Sequence, residues 1–309
     1  MKLALHSVSY AGLWRGQKYL PLADFIEKAA SLGYDGVEIM AKRPHASLLD
    51  MDDGARKRIR ERLEKTRLEC ACIAGYTDFT AGMISGMMPV GEMQIAYVSG
   101  LAELARDLGC SLVRVFTGYE REGAGYWAQW DNCVKAVREC AKRAADYGVT
   151  IGIQNHHDIG VDPRSMREFI REVSEPNCKA MFDAWAPGFC GDDLREAVRL
   201  MSDVLVYTTA ADYARLPRYK YAPDYVSYER QQDLLIAVPM GEGFVDYNAF
   251  FAALKDCGYD GYVAYEMCSE FRGGGAEENL DMYARRFVEY MRKYAIYAED
   301  KLQSVFYDV

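Results

Sequence analysis

Short apolar segments alternate with longer amphipathic segments along the whole chain. The short segments are rich in aliphatic and β-branched residues, as buried parallel strands are, and the longer ones carry apolar residues at helical spacing. The predicted strands are Lys2–Tyr10, Val37–Ala41, Leu68–Ala74, Leu112–Thr117, Thr150–His156, Cys178–Asp183, Val204–Thr209 and Gly261–Glu266. The predicted helices are Leu22–Leu32, Asp52–Arg67, Glu92–Leu108, Ala128–Tyr147, Pro163–Val173, Asp193–Met201, Tyr247–Cys257 and Asn279–Tyr294.

This alternation predicts an α/β fold with one domain over residues 1–309. Eight strand–helix pairs in 309 residues are typical of a single (β/α)8 TIM barrel. An open doubly wound sheet would show the same alternation, but no dinucleotide-binding glycine fingerprint follows the first strand. Two segments fall outside the repeat: a long tyrosine-rich loop at about 213–241 and a C-terminal extension after about 295.

The last four predicted strands each end on polar residues. Gln154 and His156 share one face of the fifth strand, because alternate residues of a strand point the same way. Asp183, Thr209 and Glu266 end the next three strands. A carboxylate at the end of an apolar strand is costly to bury unless it is paired or binds a cation. Since TIM barrels place their chemistry at these strand ends, the sequence predicts one shared site.

Three polar residues lie earlier in the predicted barrel. His6 on the first strand, Glu38 on the second and Arg114 on the fourth are each flanked by aliphatic residues, so all three can point inward. Glu38 is a candidate catalytic residue, and His6 and Arg114 are candidate substrate-binding residues. An ion pair between Glu38 and Arg114 inside the barrel, and a packed core histidine at His6, are the alternative interpretations.

Histidine is scarce, with four in the chain. His156 is the predicted main base, because it lies at a strand end on the same face as Gln154 and imidazole titrates near neutral pH. His157 is expected to face away from it, and His45, in a polar loop, is expected to be solvated. A site built from Gln154, Asp183 and Glu266 would be rich in oxygen ligands, which favours Mn²⁺ or Mg²⁺ over zinc. Those three residues are the candidate metal ligands, and Glu266 is also a candidate catalytic residue.

Composition narrows the class of protein. There are 37 Lys and Arg against 46 Asp and Glu, and the net charge of −9 argues against binding to nucleic acid or to anionic membranes. The N-terminal residues do not resemble a signal peptide, and no apolar run approaches the length of a membrane span. The nine cysteines are an odd number, and several lie in predicted strands, as buried thiols do. These observations favour a cytoplasmic protein.

Two loops carry further signals. The segment between Asp212 and Pro239 contains five tyrosines: Tyr213, Tyr219, Tyr221, Tyr225 and Tyr228. A loop of this length in a barrel is usually a lid or a binding loop, and tyrosines suit sugars and glycosides; a subunit interface in a homo-oligomer is the alternative. The segment Arg272–Gly275 could hold an anion at the start of the last helix or act as a glycine hinge.

Several short motifs, in this order of elements, resemble the sugar phosphate isomerase/epimerase superfamily. They are Gly33–Glu38, Gln154–His156, Phe182–Asp183 and Tyr265–Glu266. The resemblance implies a xylose isomerase-like barrel that binds a divalent metal through Glu, Asp, His and Glu at the late strand ends. Asp183 and Glu266 match two of these ligands. Arg215 matches an arginine that contacts substrate in the ketose 3-epimerases of the superfamily.

The chain departs from that pattern at three positions. Gln154 stands where the superfamily has its first metal-binding glutamate, and Thr209 stands where it has a histidine. Ala186 replaces a histidine that often contacts substrate. In the 3-epimerases the two glutamates form the acid/base pair, and a glutamine cannot exchange a proton in that way.

Three functions are compatible with these residues. The first is a carbohydrate isomerase or epimerase that abstracts a proton next to a sugar carbonyl with the help of a divalent metal. The second is a lyase or deglycosidase acting on a 3-oxo-sugar or 3-oxo-glycoside, as in superfamily members that work with a smaller partner subunit. The third is a metal-depleted barrel that binds sugar or serves as a partner subunit. The residues argue against the DNA-repair branch, since that branch binds a zinc cluster through many histidines and this chain is acidic.

Overall fold

Eight parallel strands close into a barrel in the computed structural model, which describes residues 1–83 and 87–294. The strands are β1 (Lys2–His6), β2 (Gly36–Met40), β3 (Glu69–Ala74), β4 (Leu112–Val115), β5 (Thr150–Gln154), β6 (Cys178–Met181), β7 (Leu205–Ala210) and β10 (Tyr262–Tyr265). Their order around the barrel is β1-β10-β7-β6-β5-β4-β3-β2. The predicted (β/α)8 barrel is confirmed; the predicted C-terminal extension lies outside the described residues.

Helices connect the strands and surround the barrel. They are α1 (Leu22–Ser31), α2 (Asp53–Thr66), α3 (Val90–Asp107), α4 (Tyr126–Ala145), α5 (Pro163–Val173), α6 (Trp185–Cys190), α7 (Leu194–Met201), α8 (Tyr247–Asp256) and α9 (Glu277–Met291). Each of these helices except the short α6 corresponds to a helix that the sequence pattern predicted. No helix in the described parts of the chain is long and apolar enough to cross a membrane.

Local sequence signals explain the helix boundaries. Helix α5 follows Asp162, whose side chain accepts hydrogen bonds from the backbone N–H groups of Arg164 and Ser165. Pro163 occupies the first turn, where its missing N–H costs nothing. Such side-chain caps satisfy donors that have no partner within the helix, so the predicted start of α5 agrees with the structure.

The tyrosine-rich segment is an antiparallel β-hairpin, not a loop. Strands β8 (Asp212–Ala222) and β9 (Ser227–Val238) pair along their length, with a bulge between Leu216 and Arg218. The base of the hairpin is fixed by Asp212, whose carboxylate accepts hydrogen bonds from the N–H groups of Gly241 and Gly243. A side chain at Gly243 would place its Cβ 1.9 Å from this carboxylate, so the position requires glycine. The hairpin therefore has a defined orientation at the barrel mouth.

The predicted burial of cysteines is confirmed. Cys70, Cys72, Cys110 and Cys178 are buried free thiols. They pack with the aliphatic core of the barrel. Their role is therefore packing, as free cysteine behaves as a small apolar residue.

Candidate active site

A cavity of about 210 Å³ opens at the carboxyl ends of the barrel strands. Its lining residues are Gln154, His156, Asp183, Trp185, Thr209, Ala210, Ala211, Tyr213, Leu235, Tyr247, Glu266, Cys268 and Ser269. A larger concavity of about 750 Å³ lies at the amino-terminal ends of the strands, near Thr150 and Tyr262. Because TIM barrels place their chemistry at the carboxyl ends, the smaller cavity is the candidate active site. It brings together the polar strand ends that the sequence pattern singled out.

Three side chains form a closed hydrogen-bonded triangle on one side of the cavity. The amide Nε2 of Gln154 donates to Oδ2 of Asp183 at 2.8 Å and to Oγ1 of Thr209 at 2.9 Å. The Thr209 hydroxyl donates to the same Asp183 oxygen at 3.1 Å. This arrangement fixes the amide with its nitrogen toward the carboxylate, because the opposite orientation would place two acceptor oxygens in contact. The amide oxygen of Gln154 is buried and has no hydrogen-bond partner in the described parts of the chain.

Asp183 is held rigidly in this triangle. Its Oδ1 accepts a hydrogen bond from the backbone N–H of Trp185 at 3.0 Å, and its own N–H donates to Asn155. Burial raises the pKa of Asp183 to about 6, although hydrogen bonds from Gln154, Trp185 and Thr209 oppose the shift. Each carboxylate oxygen of Asp183 therefore accepts at least one hydrogen bond from the protein.

The described side chains do not fit the divalent cation that the resemblance implied. A cation needs several oxygens that converge on one point, whereas Gln154 directs its NH₂ group at Asp183. The residues described contain no group of three or more His, Cys, Asp or Glu side chains that could hold a metal ion. Gln154 and Thr209 instead donate hydrogen bonds to the Asp183 carboxylate.

Glu266 follows β10 and lines the other side of the cavity. Its backbone N–H donates to the carbonyl of Ala210 at 3.0 Å, and its side chain is 16% exposed. Burial raises the pKa of Glu266, while the positive charges of Arg114 and Lys42 act in the opposite direction. Since strands β7 and β6 lie between β10 and β5, Glu266 and His156 enter the cavity from different sides.

The polar residues of the early strands form a buried network. The Nε2 atom of His6 lies 3.6 Å from Oε1 of Glu38 and 3.9 Å from Oε1 of Glu266. Arg114 places its NH1 atom 3.5 Å from the same Glu38 oxygen. His6, Glu38 and Arg114 are all essentially inaccessible to solvent, and none of them lines the cavity. The positive charge of Arg114 acts on Glu266 from within the barrel.

Glu38 provides a test of this network through the pH dependence of stability. Burial raises its pKa from 4.5 to about 8, despite the opposing charge of Arg114. The folded protein therefore keeps a proton that the unfolded chain has lost, and the free energy of unfolding should fall as the pH rises from about 5 to 8. One such proton corresponds to about 1.4 kcal/mol per pH unit. Urea unfolding across this range should show a weaker decline in Glu38→Gln than in the unaltered protein, and an unchanged decline in the surface variant Glu61→Gln.

His156 is placed at the cavity, but its surroundings differ from those expected. Its Nδ1 lies 3.0 Å from Nδ1 of His157, so His157 does not face away. The ring of His156 packs on Phe116 at a centroid distance of 4.7 Å. Removal from water and the positive charges of His157 and Arg114 lower the pKa of His156 to about 4. His156 is therefore neutral at neutral pH and a weaker base than a solvated imidazole.

One other sequence prediction is corrected by the structure. His45 is buried rather than solvated, with its ring nitrogens 3.0 Å from the Ser7 hydroxyl and 3.1 Å from the Leu20 carbonyl. In the glycine segment after β10, Asn279 donates to the carbonyls of Arg272 and Gly274, and the N–H of Gly274 donates to the carbonyl of Phe271. The anion-site and glycine-hinge interpretations of this segment stay predictions.

Arg215, which the resemblance assigned to substrate, lies outside the set of residues that line the cavity. Its guanidinium stands 4.3 Å from the ring centroid of Phe244 and 5.0 Å from that of Phe189. It also donates to the Phe189 carbonyl at 3.3 Å. In this arrangement the arginine supports an aromatic group next to the cavity.

Sequence reasoning missed several residues of the mouth. Lys42 holds its Nζ atom 3.8 Å from the ring centroid of Tyr76, and the Arg114 guanidinium lies 5.0 Å from the same centroid. Partial burial and the charge of Arg114 lower the pKa of Lys42. Trp185, two residues after Asp183, lines the cavity. The sequence offered one signal for Lys42, Tyr76 and Trp185, which is that each lies shortly after a strand end. Many other loop residues share that position, so the signal does not single these three out.

Comparison with known proteins places the chain among sugar-metabolising barrels. The profile of the xylose isomerase-like TIM barrel family matches residues 26–287. The chain is 24% identical over 294 residues to a fructoselysine 3-epimerase of Shigella flexneri, covering 93% of this chain and 97% of that protein. It is 23% identical over 273 residues to an L-ribulose 3-epimerase of a Methylomonas species, covering 85% and 83%.

Solved structures share the fold. A D-psicose 3-epimerase of Clostridium cellulolyticum, solved with D-tagatose, superposes with a TM-score of 0.73 at 19% identity, covering 95% of this chain and 99% of that one. A probable 3-DHS dehydratase of Bacillus anthracis gives a TM-score of 0.71 at 19% identity, covering 94% and 100%. The extent of the family match and of the relatives makes this a sugar isomerase/epimerase-like enzyme, and the chain belongs to the xylose isomerase-like TIM barrel family.

Proposed function

We propose that the protein interconverts ketoses, or ketoses and aldoses, by moving a proton at the carbon next to the sugar carbonyl. The observation that carries this proposal is the cavity at the barrel mouth, where Glu266 faces a polar group formed by Gln154, Asp183 and Thr209. The relatives that act on fructoselysine and L-ribulose support a ketose as the substrate class.

Glu266 is the proposed base for the carbon-bound proton. Its raised pKa makes the carboxylate a stronger base than a solvated glutamate, and its side chain is partly exposed in the cavity. His156, with a pKa of about 4, is a poorer base by the same criterion. We therefore assign Glu266 the main role that the sequence suggested for His156, and we assign His156 a hydrogen bond to a substrate oxygen.

The polar triangle is the proposed sugar-binding element. The buried amide oxygen of Gln154 has no partner among the described residues, and an unsatisfied buried acceptor costs about 1–3 kcal/mol. A substrate hydroxyl that donates to this oxygen would remove that cost. Asp183 and Thr209 keep the amide in the required orientation.

The proposed reaction balances with Glu266, a hydroxyl group of the substrate and a water molecule. Glu266 removes the proton next to the carbonyl, and the electron pair of the broken C–H bond forms an enediolate. Return of the proton from Glu266 to the neighbouring carbon, with transfer of the substrate hydroxyl proton to the former carbonyl oxygen, gives the isomer. Protonation of the same carbon on its other face by a water molecule, whose hydroxide then takes the proton held by Glu266, gives the epimer. Arg114 and Lys42 would stabilise the negative charge on the enediolate oxygens. The positive charges of both residues already act on Glu266.

Deuterium exchange tests the proposed function. The purified protein is incubated in D₂O with D-fructose, D-tagatose, D-allulose, L-ribulose or fructoselysine. NMR follows both deuterium at the carbon next to the carbonyl and the appearance of new sugars. We expect exchange and conversion of at least one ketose, with the same rate after treatment with EDTA. Absence of exchange with every ketose, including fructoselysine, would contradict the proposal.

A further inference from the structure

Four aromatic side chains form a continuous group beside the cavity, which we call the aromatic shelf: Trp185, Phe189, Tyr213 and Phe244. The ring centroid of Trp185 lies 4.5 Å from that of Tyr213, 5.5 Å from that of Phe189 and 5.8 Å from that of Phe244. Phe189 and Phe244 lie 6.1 Å apart. These separations are within the range in which aromatic rings attract one another.

The aromatic shelf extends from the cavity to the protein surface. Trp185 and Tyr213 line the cavity, whereas Phe189 and Phe244 do not. Phe189 is 40% exposed, and Trp185 and Phe244 are half-buried. The apolar surface therefore begins beside the reacting groups and continues outward, past the space that a free sugar in the cavity would occupy.

The local structure holds the aromatic shelf in place without a ligand. Trp185 and Phe189 are four residues apart in α6, so they lie on one face of the helix. The Arg215 guanidinium lies over both Phe189 and Phe244 and donates to the Phe189 carbonyl. A preorganised apolar surface next to a polar cavity is typical of a ligand-binding site.

We propose that the aromatic shelf binds a flat apolar group attached to the sugar, so that the preferred substrate is a ketose carrying an aromatic or similar apolar substituent. This inference rests on the proposed function, since the sugar part must occupy the cavity. The polar residues of the cavity would hold the sugar hydroxyl groups. The rings of Trp185, Phe189 and Phe244 would cover the substituent and exclude water from it, which is favourable in proportion to the apolar area buried.

Calorimetric titration of matched sugars tests the inference. The probes are D-fructose, N-methyl fructosamine and N-phenyl fructosamine, which differ in the group attached to the same ketose. We expect N-phenyl fructosamine to bind about tenfold more tightly than the N-methyl compound, as one well-placed aromatic contact provides. In Phe189→Ala this difference should shrink to about threefold or less, with the affinity for D-fructose unchanged.

Trp127→Ala is the control, because Trp127 is an exposed aromatic residue that does not line the cavity. It should keep the full preference for the phenyl compound, and circular dichroism should confirm that both variants are folded. Equal affinity for the phenyl and methyl compounds would overturn the inference about the aromatic shelf. The proposed function would stand in that case if D-fructose is still bound or converted. If the protein neither binds nor converts any one of the three sugars, the inference and the proposed function are both overturned.

Discussion

Glu266→Gln is expected to lower the rate of deuterium exchange into a ketose substrate by about 10²–10⁴-fold, the usual loss when a positioned acid/base group is removed. Glutamine preserves the shape and the hydrogen-bonding oxygen of the side chain but cannot accept the proton. The substrate affinity should change much less than the rate, because the loss falls on the transition state. Single-turnover exchange measured by NMR, together with calorimetric binding, separates the two effects.

Two matched variants serve as the control and as the comparison with the alternative base. Glu270→Gln alters an exposed glutamate that pairs with Arg15 on the surface, and its rate should stay within about twofold of the unaltered protein. His156→Gln should reduce the rate less than Glu266→Gln, because the lowered pKa makes His156 the weaker base. A larger loss in His156→Gln than in Glu266→Gln would return the main role to His156.

The double variant Gln154→Glu with Thr209→His is expected to gain a binding site for Mn²⁺. It installs a carboxylate and an imidazole around Asp183, and two adjacent carboxylates repel each other until a cation binds. Without metal the variant should be less stable than the unaltered protein, since the hydrogen bonds of Gln154 and Thr209 to Asp183 are lost. Saturating Mn²⁺ at about 100 times the dissociation constant should restore about 2.7 kcal/mol.

Thermal unfolding with and without Mn²⁺, and electron paramagnetic resonance of the free ion, provide the measurements. The unaltered protein should show neither stoichiometric Mn²⁺ binding nor a loss of stability in EDTA. The two single variants distinguish the contributions of the new ligands. Tightly held metal in the purified, unaltered protein, with unfolding promoted by EDTA, would show that the Gln154 amide reorients to present its oxygen to a cation.

The arrangement of the candidate site was only partly predictable from strand parity. Gln154, Asp183, Thr209 and Glu266 meet at one cavity, as their strand-end positions predicted. The sequence did not reveal that the Gln154 amide donates to Asp183. The direction of this hydrogen bond depends on the side chains of Gln154, Asp183 and Thr209, which lie at the ends of three different strands. The residue pattern of one strand does not contain that information.

The histidines and the hairpin show the same limit. His157 contacts His156 because the chain turns directly after β5, so strand parity no longer applies there. The segment around the tyrosines pairs with itself as β8 and β9, although the sequence pattern predicted a loop there. Its strand pairing is stabilised across the hairpin and at Asp212, by contacts between residues distant in the sequence.

The sequence by itself determined the order of strands and helices, the barrel, and the strand ends that carry polar groups. These features follow from local periodicity and from the rule that parallel strands of a barrel expose their carboxyl ends at one mouth. Only the tertiary structure decided the protonation of the site and the shape of the space for substrate. The pKa values of Glu38, Asp183 and His156 depend on burial and on charges brought from other strands. The aromatic shelf likewise exists only where α6, the hairpin and the segment before α8 meet, because contacts between distant segments are set by folding and not by local sequence.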